Sequence, residues 1–260
     1  MGTIAITGAA SGIGAATRVT LETAGHRVIG IDLHGTEVEA DLSTVDGRAS
    51  MVRAVEAACG GVLDGVVAAA GIRGDDGAPI VSVNHFGAVA TLAGLRPFLA
   101  AGTDAAAVAI SSNSTSTQPG YPVELATACL AGDEEAARAL AAPDGLGAYA
   151  ASKLALARWV RRHAPTEEWV GAGIRLNAIA PGFVDTPMTE GSWDFISSLG
   201  AMYPMPMGRP GRAPEIAAAI AFLLSPAASY LCGTVLLADG GTEAAIRPDD
   251  WPAPLSPGSR

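Results

Sequence analysis

One lysine, Lys153, stands in the whole chain of 260 residues; the other 15 of the 16 basic side chains are arginines. Acidic residues outnumber them at 26, and the formal net charge is −10. That balance argues against nucleic acid and against an anionic membrane surface as partners, because both require a cationic face. Cysteine is scarce. Cys59, Cys129 and Cys232 are odd in number and far apart, which argues against a disulfide framework or a cysteine metal site and makes a cytoplasmic location the expectation. The four histidines, His26, His34, His85 and His163, never fall at metal spacing with cysteines or acids, so no metal is expected. Charged residues are only 16% and apolar residues 49%, a composition that excludes disorder. No apolar run is read as reaching the roughly 18 residues of a membrane span. No leader is expected, since Thr3-Ile4-Ala5-Ile6 reads as a strand entering a Gly-rich turn at once. Internal repeats and linkers are missing too. The chain therefore reads as one domain over 1–247 with a Pro-rich, extended surface tail over 248–260.

What is there is a rhythm. Ile4–Thr7, Arg27–Asp32, Leu63–Ala70, Ala106–Ser111, Arg175–Ala180 and Val235–Ala238 read as strands, several of them apolar on both faces. Val38–Leu42 adds a short one. Between them lie helical patterns at Ile13–Ala24, Val45–Cys59, Pro79–Ala101, Tyr149–His163 and Pro214–Leu224. Alternation of this kind implies βαβ crossovers: an α/β fold with a single, doubly wound, Rossmann-type parallel sheet and helices on both faces. Two stretches break the rhythm. One is 113–147, with a helix expected at Asp133–Ala142 and ended by Pro143-Asp144-Gly145. The other is 182–212, a loop rich in Met, Pro and aromatics, of the length that often forms lids or binding loops.

Thr7-Gly8-Ala9-Ala10-Ser11-Gly12-Ile13-Gly14 follows the first strand and opens the first helix. Gly8 permits the tight turn, Gly12 the approach of a pyrophosphate, and Gly14 close packing of helix on strand. The helix start at Ser11–Ile13 offers unpaired N–H groups and a partial positive charge for phosphates. Glycines also mark plain turns, but a position between strand and helix is what a dinucleotide motif requires. Asp32 ends the second strand 18 positions after Gly14. A carboxylate there accepts hydrogen bonds from ribose hydroxyls and repels a 2′-phosphate, and Leu33-His34-Gly35 offers no cation to welcome one. NAD is the cofactor expected over NADP. The competing reading of Asp32 is a cap on the following loop.

Tyr149 and Lys153 lie four apart on a helix that Tyr149-Ala150-Ala151-Ser152-Lys153 is read as opening, so they project together. A neighbouring ammonium is expected to lower the phenol pKa, fitting Tyr149 to exchange a proton with an alcohol or ketone. Such pairs arise often on exposed helices. A single lysine scattered at random over the 16 basic positions would fall here once in 16, and arginine is a poor substitute where a compact ammonium is needed.

With these residues the chain resembles the short-chain dehydrogenase/reductase family from Thr3 to about Gly241. The resemblance implies roles for further residues. Ser112, at the end of Ile110-Ser111-Ser112, matches the catalytic serine, with Ser111 and Ser114 as the competing neighbours. Asn84 matches the helix asparagine of the proton relay, and Asp41-Leu42 the pair that contacts adenine. Pro181-Gly182-Phe183-Val184-Asp185-Thr186 matches the segment that holds the carboxamide, through Val184 and Thr186. Where the family often has Asn-Asn-Ala-Gly, this chain has Ala68-Ala69-Ala70-Gly71, keeping only Gly71 for close approach to the cofactor. Asp32, Asp41-Leu42-Ser43-Thr44, Ser225-Pro226-Ala227-Ala228-Ser229-Tyr230 and the 37 positions from Ser112 to Tyr149 resemble one subgroup, the bacterial 3α-hydroxysteroid dehydrogenases/carbonyl reductases. That likeness implies a homodimer more than a homotetramer. The substrate expected is a small-molecule alcohol or ketone. Trp193, Phe195, Ile196, Leu199, Met202, Tyr203 and Met205 would bury an apolar, cyclic one. Packing of the loop, or a subunit contact, accounts for them as well. Two other classes compete with a dehydrogenase: a non-catalytic dinucleotide-binding sensor or scaffold, and a relative that epimerises or dehydrates. Joint retention of Ser112, Tyr149 and Lys153 argues against the sensor, and net cofactor turnover would exclude the third class.

Overall fold

The computed structural model describes residues 1–142 and 144–251. Pro143 and positions 252–260 of the expected tail lie outside the described residues; Pro248–Asp250 form a turn instead of running extended. In chain order the elements are β1 (Thr3–Thr7), α1 (Gly12–Thr23), β2 (Arg27–Asp32), β3 (Val38–Glu39), α2 (Val45–Cys59), β4 (Gly65–Ala68), α3 (Gly77–Val81) and α4 (Ala88–Leu99). They continue with β5 (Ala106–Ile110), α5 (Ser114–Thr117), α6 (Val123–Ala131), α7 (Glu134–Ala141), α8 (Gly145–His163), β6 (Arg175–Pro181) and β7 (Val184–Asp185). The last are α9 (Trp193–Ser198), β8 (Gly211–Arg212), α10 (Ala213–Leu224), β9 (Val235–Ala238) and α11 (Thr242–Ile246).

Seven strands form one sheet in the order β3-β2-β1-β4-β5-β6-β9, every pair parallel. The order reverses between β1 and β4, the place where open α/β sheets bind ligands beyond the strands' carboxyl ends. Side chains alternate cleanly across the sheet, as the two-residue period of a strand requires. Ala5, Ile29, Ile31, Val66, Ala68, Ala107, Ala109, Leu176 and Ala178 enter one core with Met51, Leu92, Leu95, Leu156 and Trp169. Ile4, Ile6, Val28, Val67, Val108, Ile110 and Ile179 enter the other with Leu21, Ile216, Ile220 and Leu223. Both faces are thus covered, and each buried Ile, Val or Leu contributes about 1.5–3 kcal/mol.

Several boundaries differ from expectation for identifiable reasons. The strand expected over Leu63–Ala70 stops at Ala68 because the next two amides turn aside: Ala69 and Ala70 both donate to Thr7 Oγ1, each at 3.1 Å. The helix expected over Pro79–Ala101 begins at Gly77, capped by Asp76, and is interrupted by a π turn at Ser82–Gly87. Taken together, Gly77–Leu99 is 23 residues long with a hydropathy of 1.3, long and apolar enough to cross a membrane, contrary to the expectation of no such run. Its apolar window is 61% buried against the fold, as for a core helix. The helix read as starting at Tyr149 starts at Gly145, where Asp144 accepts from Gly147 N at 3.0 Å; Tyr149 sits one turn in. The 113–147 stretch holds α6 as well as the expected helix at Glu134–Ala141. α6 packs on α8 and α7, and α7 on α3, in a third core that includes Ile80, Phe86, Leu125, Cys129 and Ala151. Arg48 and Glu134 clamp α7 to α2 at 2.8 and 2.7 Å.

Candidate active site

β1 delivers the chain into the glycine turn, where Gly8 and Gly12 take positive φ values of 70° and 53°, conformations open to glycine at little strain. A Cβ on Gly8 would stand 2.9 Å from the Ala70 backbone, and one on Gly14 would collide with the Gly8 carbonyl. The turn and the first coil of α1 are therefore packed to the limit against β1 and β4. Ser11, the N-cap of α1, makes no side-chain cap bond. The first amides of α1 thus receive no side-chain cap from Ser11 and face the cleft, which is the arrangement that binds phosphate oxygens.

That cleft is lined by Gly8, Ser11, Gly12, Ile13 and Gly14 at one side, and by Asp32, Asp41 and Leu42 beyond the ends of β2 and β3. Gly71, Ser112, Tyr149, Lys153, Val184 and Thr186 line its other part. Every residue expected to hold the cofactor thus borders one cavity. Met188 and Thr189 border it too and escaped sequence reading. Thr189 Oγ1 accepts from Thr186 N at 3.1 Å and lies 3.2 Å from Thr186 Oγ1, a local Thr-x-x-Thr signal of a capped turn.

Asp32 is held by the turn it serves. Its Oδ2 accepts from Ala10 N at 3.0 Å and its Oδ1 from Leu33 N at 2.8 Å. These bonds fit the loop-cap reading, and each carboxylate oxygen keeps a second lone pair. Asp41 Oδ1 accepts from Ser43 N at 2.8 Å, and hydrogen bonding to Ser43 holds this carboxyl below its ordinary range.

β5 ends at the reacting corner. Ser111 turns back, donating to the Lys153 carbonyl at 3.0 Å, and so is occupied structurally. Ser112 Oγ accepts from Ser114 N at 3.1 Å, and Ser112 lines the cleft together with Tyr149. Ser112 is the serine that meets Tyr149; Ser114 Oγ is buried with no partner among the described residues. Lys153 is only 4% exposed. Its Nζ donates to the Ile110 carbonyl at 2.8 Å and lies 5.9 Å from the Tyr149 ring centroid. Burial pulls its ammonium pKa down from 10.5 to about 8. Burial pushes the Tyr149 phenol above its ordinary value, opposed by the Ser112 hydrogen bond and the charge of Arg73. The expectation that Lys153 lowers the phenol pKa is therefore corrected: desolvation dominates both groups.

Asn84 does not border the cleft. It sits fully buried in the π turn, its Oδ1 accepting from Ile72 N at 2.8 Å and its Nδ2 donating to Ile72 O at 2.9 Å. The same Oδ1 and Lys153 Nζ flank Gly71, at 3.3 and 3.4 Å from where a Cβ would stand. Gly71 therefore keeps the asparagine and the ammonium close. The apolar loop behaves differently from expectation. None of Trp193, Phe195, Ile196, Leu199, Met202, Tyr203 and Met205 lines the cleft; Phe195 and Met202 are well exposed. Arg73 Nη2 ties the loop to the β4 side through Ser192 Oγ at 2.7 Å. Tyr203 Oη joins Asn113 Nδ2 at 3.0 Å.

Comparison with known proteins agrees with this geometry. A family model described as enoyl-(acyl carrier protein) reductase matches residues 136–243. The 3-alpha-hydroxysteroid dehydrogenase/carbonyl reductase of Comamonas testosteroni is 43% identical, with 96% of this chain and all of that protein covered. The structure of the 3-alpha-hydroxysteroid dehydrogenase from Pseudomonas sp. B-0831, complexed with NADH, superposes with a TM-score of 0.88 at 44% identity, covering 95% of this chain and 99% of that one. Levodione reductase follows with a TM-score of 0.74 at 29% identity, covering 94% and 98%. The chain belongs to the short-chain dehydrogenase/reductase family and is an oxidoreductase.

Proposed function

We propose that this enzyme moves a hydride between NAD(H) and the carbon of a secondary alcohol or its ketone, on an apolar cyclic substrate of the 3α-hydroxysteroid kind or a related carbonyl compound. The observation that carries the reading is convergence: Ser112, Tyr149 and Lys153 meet in the cleft that the glycine turn and Asp32 also border. The names of the Comamonas and Pseudomonas relatives support the substrate class and the cofactor. The cleft suits a dinucleotide on its own terms, through α1 amides that Ser11 leaves uncapped and a tight turn whose Gly8 and Gly14 have no room for a Cβ.

Gly8, Ser11, Gly12, Ile13 and Gly14 hold the pyrophosphate, Asp32 the adenosine ribose, and Asp41 and Leu42 the adenine. Gly71, Val184 and Thr186 border the nicotinamide end. When bound, the nicotinamide supplies the hydride acceptor, or the donor in the reverse direction. Ser112 donates to the substrate oxygen and steadies its charge as C–O becomes C=O. Tyr149 takes the hydroxyl proton in oxidation and returns it in reduction. Lys153 grips the nicotinamide ribose and sets the phenol's surroundings, and Asn84 orders the proton route behind it. Residues 1–247 form the working unit, with 113–147 as an insertion. The half-exposed edge strand β9 supports a homodimer, and the three free cysteines support a cytoplasmic setting.

Tyr149→Phe tests the reading. Turnover with a panel of cyclic alcohols, followed by nicotinamide absorbance, should fall by about 10²- to 10⁴-fold, the usual contribution of a general acid–base group. NAD affinity, measured by calorimetry, should hold nearly constant. Retained turnover would remove Tyr149 from the chemistry and the reading with it.

A further inference from the structure

Two polar ties leave the 113–147 insertion for one short piece of backbone, the π turn Ser82–Gly87. Arg138 on α7 donates through Nη1 to Ser82 Oγ at 2.7 Å and to the Ala78 carbonyl at 3.3 Å. His85, only 2% exposed, lies with Nε2 at 2.9 Å from the Cys129 carbonyl in the last turn of α6. A carbonyl only accepts, so Nε2 carries the proton and donates. Burial pulls the His85 pKa down to about 4, so the ring is neutral under working conditions. Its Nδ1 is then a buried acceptor with no partner among the described residues.

That last fact weighs against a packing role alone. A phenylalanine fills a similar space without an orphaned polar atom, whose burial is unfavourable. What histidine adds is a tie to α6, a second bond on the Cys129 carbonyl, which also accepts from Gly132 N at 3.1 Å. The two ties also fall where the backbone most needs them. π turns are rare single-turn bulges found frequently at functional sites. Ser82 and His85 stand on either side of Asn84, whose amide must meet both polar groups of Ile72 at 2.8 and 2.9 Å. A rotation of this turn would carry Asn84 Oδ1 away from Gly71 and Lys153.

We infer that the insertion braces the π turn, with His85 and Arg138 as positioning residues that fix Asn84 beside Lys153. The inference rests on the proton-route reading of Asn84 given above. It assigns the insertion a part in catalysis that its sequence does not display.

The test is a set of variants of the full chain: His85→Phe, His85→Gln, Arg138→Met and Asn84→Ala. His85→Phe keeps the volume and loses the donor, and its kcat should fall by about three- to tenfold, the worth of one hydrogen bond. The kcat–pH profile should move with it while NAD affinity stays constant. His85→Gln keeps an N–H donor and should recover most of the rate and the original profile. Arg138→Met, altering an exposed side chain, gives the same reading in milder form if His85→Phe fails to fold. An unchanged kcat and pH profile in both His85→Phe and Arg138→Met, alongside an altered Asn84→Ala, overturns the brace and leaves the site reading intact. An Asn84→Ala enzyme with unaltered rate and profile overturns the site reading itself, and the brace with it.

Discussion

Replacing Lys153 by methionine should abolish turnover and yet make the cofactor-free protein more stable at neutral pH. The magnitude follows from burial. The folded ammonium has a pKa of about 8 against an ordinary 10.5, and burial is the cause. At ~1.4 kcal/mol per pH unit, holding this charge inside the fold costs ~3 kcal/mol wherever both states are protonated. The bond from Nζ to the Ile110 carbonyl, 2.8 Å long, offsets part of that. A charge-assisted bond contributes about 1.5–3 kcal/mol, so a methionine of similar length should gain on the order of 1 kcal/mol. In a domain of this size that corresponds to roughly 2–4 °C in Tm.

The sign with pH is fixed. A lowered lysine pKa destabilises the fold fully below pH 8, and the penalty fades as pH rises from 8 towards 10.5. In that window the unfolded chain holds a proton that the folded chain has released, so the parent gains stability relative to the variant. Urea unfolding of parent and Lys153→Met, both without cofactor, at pH 7 and at pH 9.5, reads the gap. It should favour the variant at pH 7 and shrink, or change sign, at pH 9.5. A variant less stable at pH 7, with a gap indifferent to pH, would refute the claim that this lysine is kept against its own solvation for function.

Two further outcomes are expected. Asp32→Ala should weaken NAD binding by about 10- to 100-fold, from lost charge-assisted bonds to ribose hydroxyls, and should narrow the preference over NADP; calorimetry with both cofactors checks this, and unchanged selectivity would leave Asp32 as the anchor of Ala10 N and Leu33 N alone. Because burial holds the Tyr149 phenol protonated above its ordinary range, initial rates of alcohol oxidation should climb with pH through the alkaline range, whereas ketone reduction, which consumes the phenol proton, should hold level and then fall; parallel profiles in the two directions would contradict a shared proton on Tyr149.

The sheet and the glycine turn were legible because they rest on local rules. Strands apolar on both faces must be sandwiched, and Gly8, Gly12 and Gly14 follow a strand and open a helix in plain sight. The interruption of Gly77–Leu99 at Ser82–Gly87 was not legible. Val83 through Gly87 hold no proline to announce it, and the turn is held by bonds to residues at 72, 129 and 138. Nor was α6, whose residues Val123–Ala131 are apolar almost all round. They form a helix covered by a third core and carry no stripe to betray its face.

The electrostatics of the reacting corner show the same divide more sharply. Spacing places Tyr149 and Lys153 on one helical face, and that much the structure contains. Spacing also invites the conclusion that the ammonium draws the phenol towards ionisation, and there desolvation wins instead. Both groups are pushed towards their neutral forms, because the surroundings that exclude water are assembled from β4, β5 and α8 together. Desolvation sums over every neighbour, so no pair of residues reveals it. What opposes it at Tyr149 is the Ser112 hydrogen bond and the charge of Arg73, one group from the end of β5 and one from the loop after β4. The resting state is therefore a phenol ready to give its proton, and Ser112, which stabilises the ionised form, works against that in the direction of alcohol oxidation. Removing the Ser112 hydroxyl should thus harm oxidation more than reduction, an asymmetry that follows from burial and that the linear order of residues does not contain.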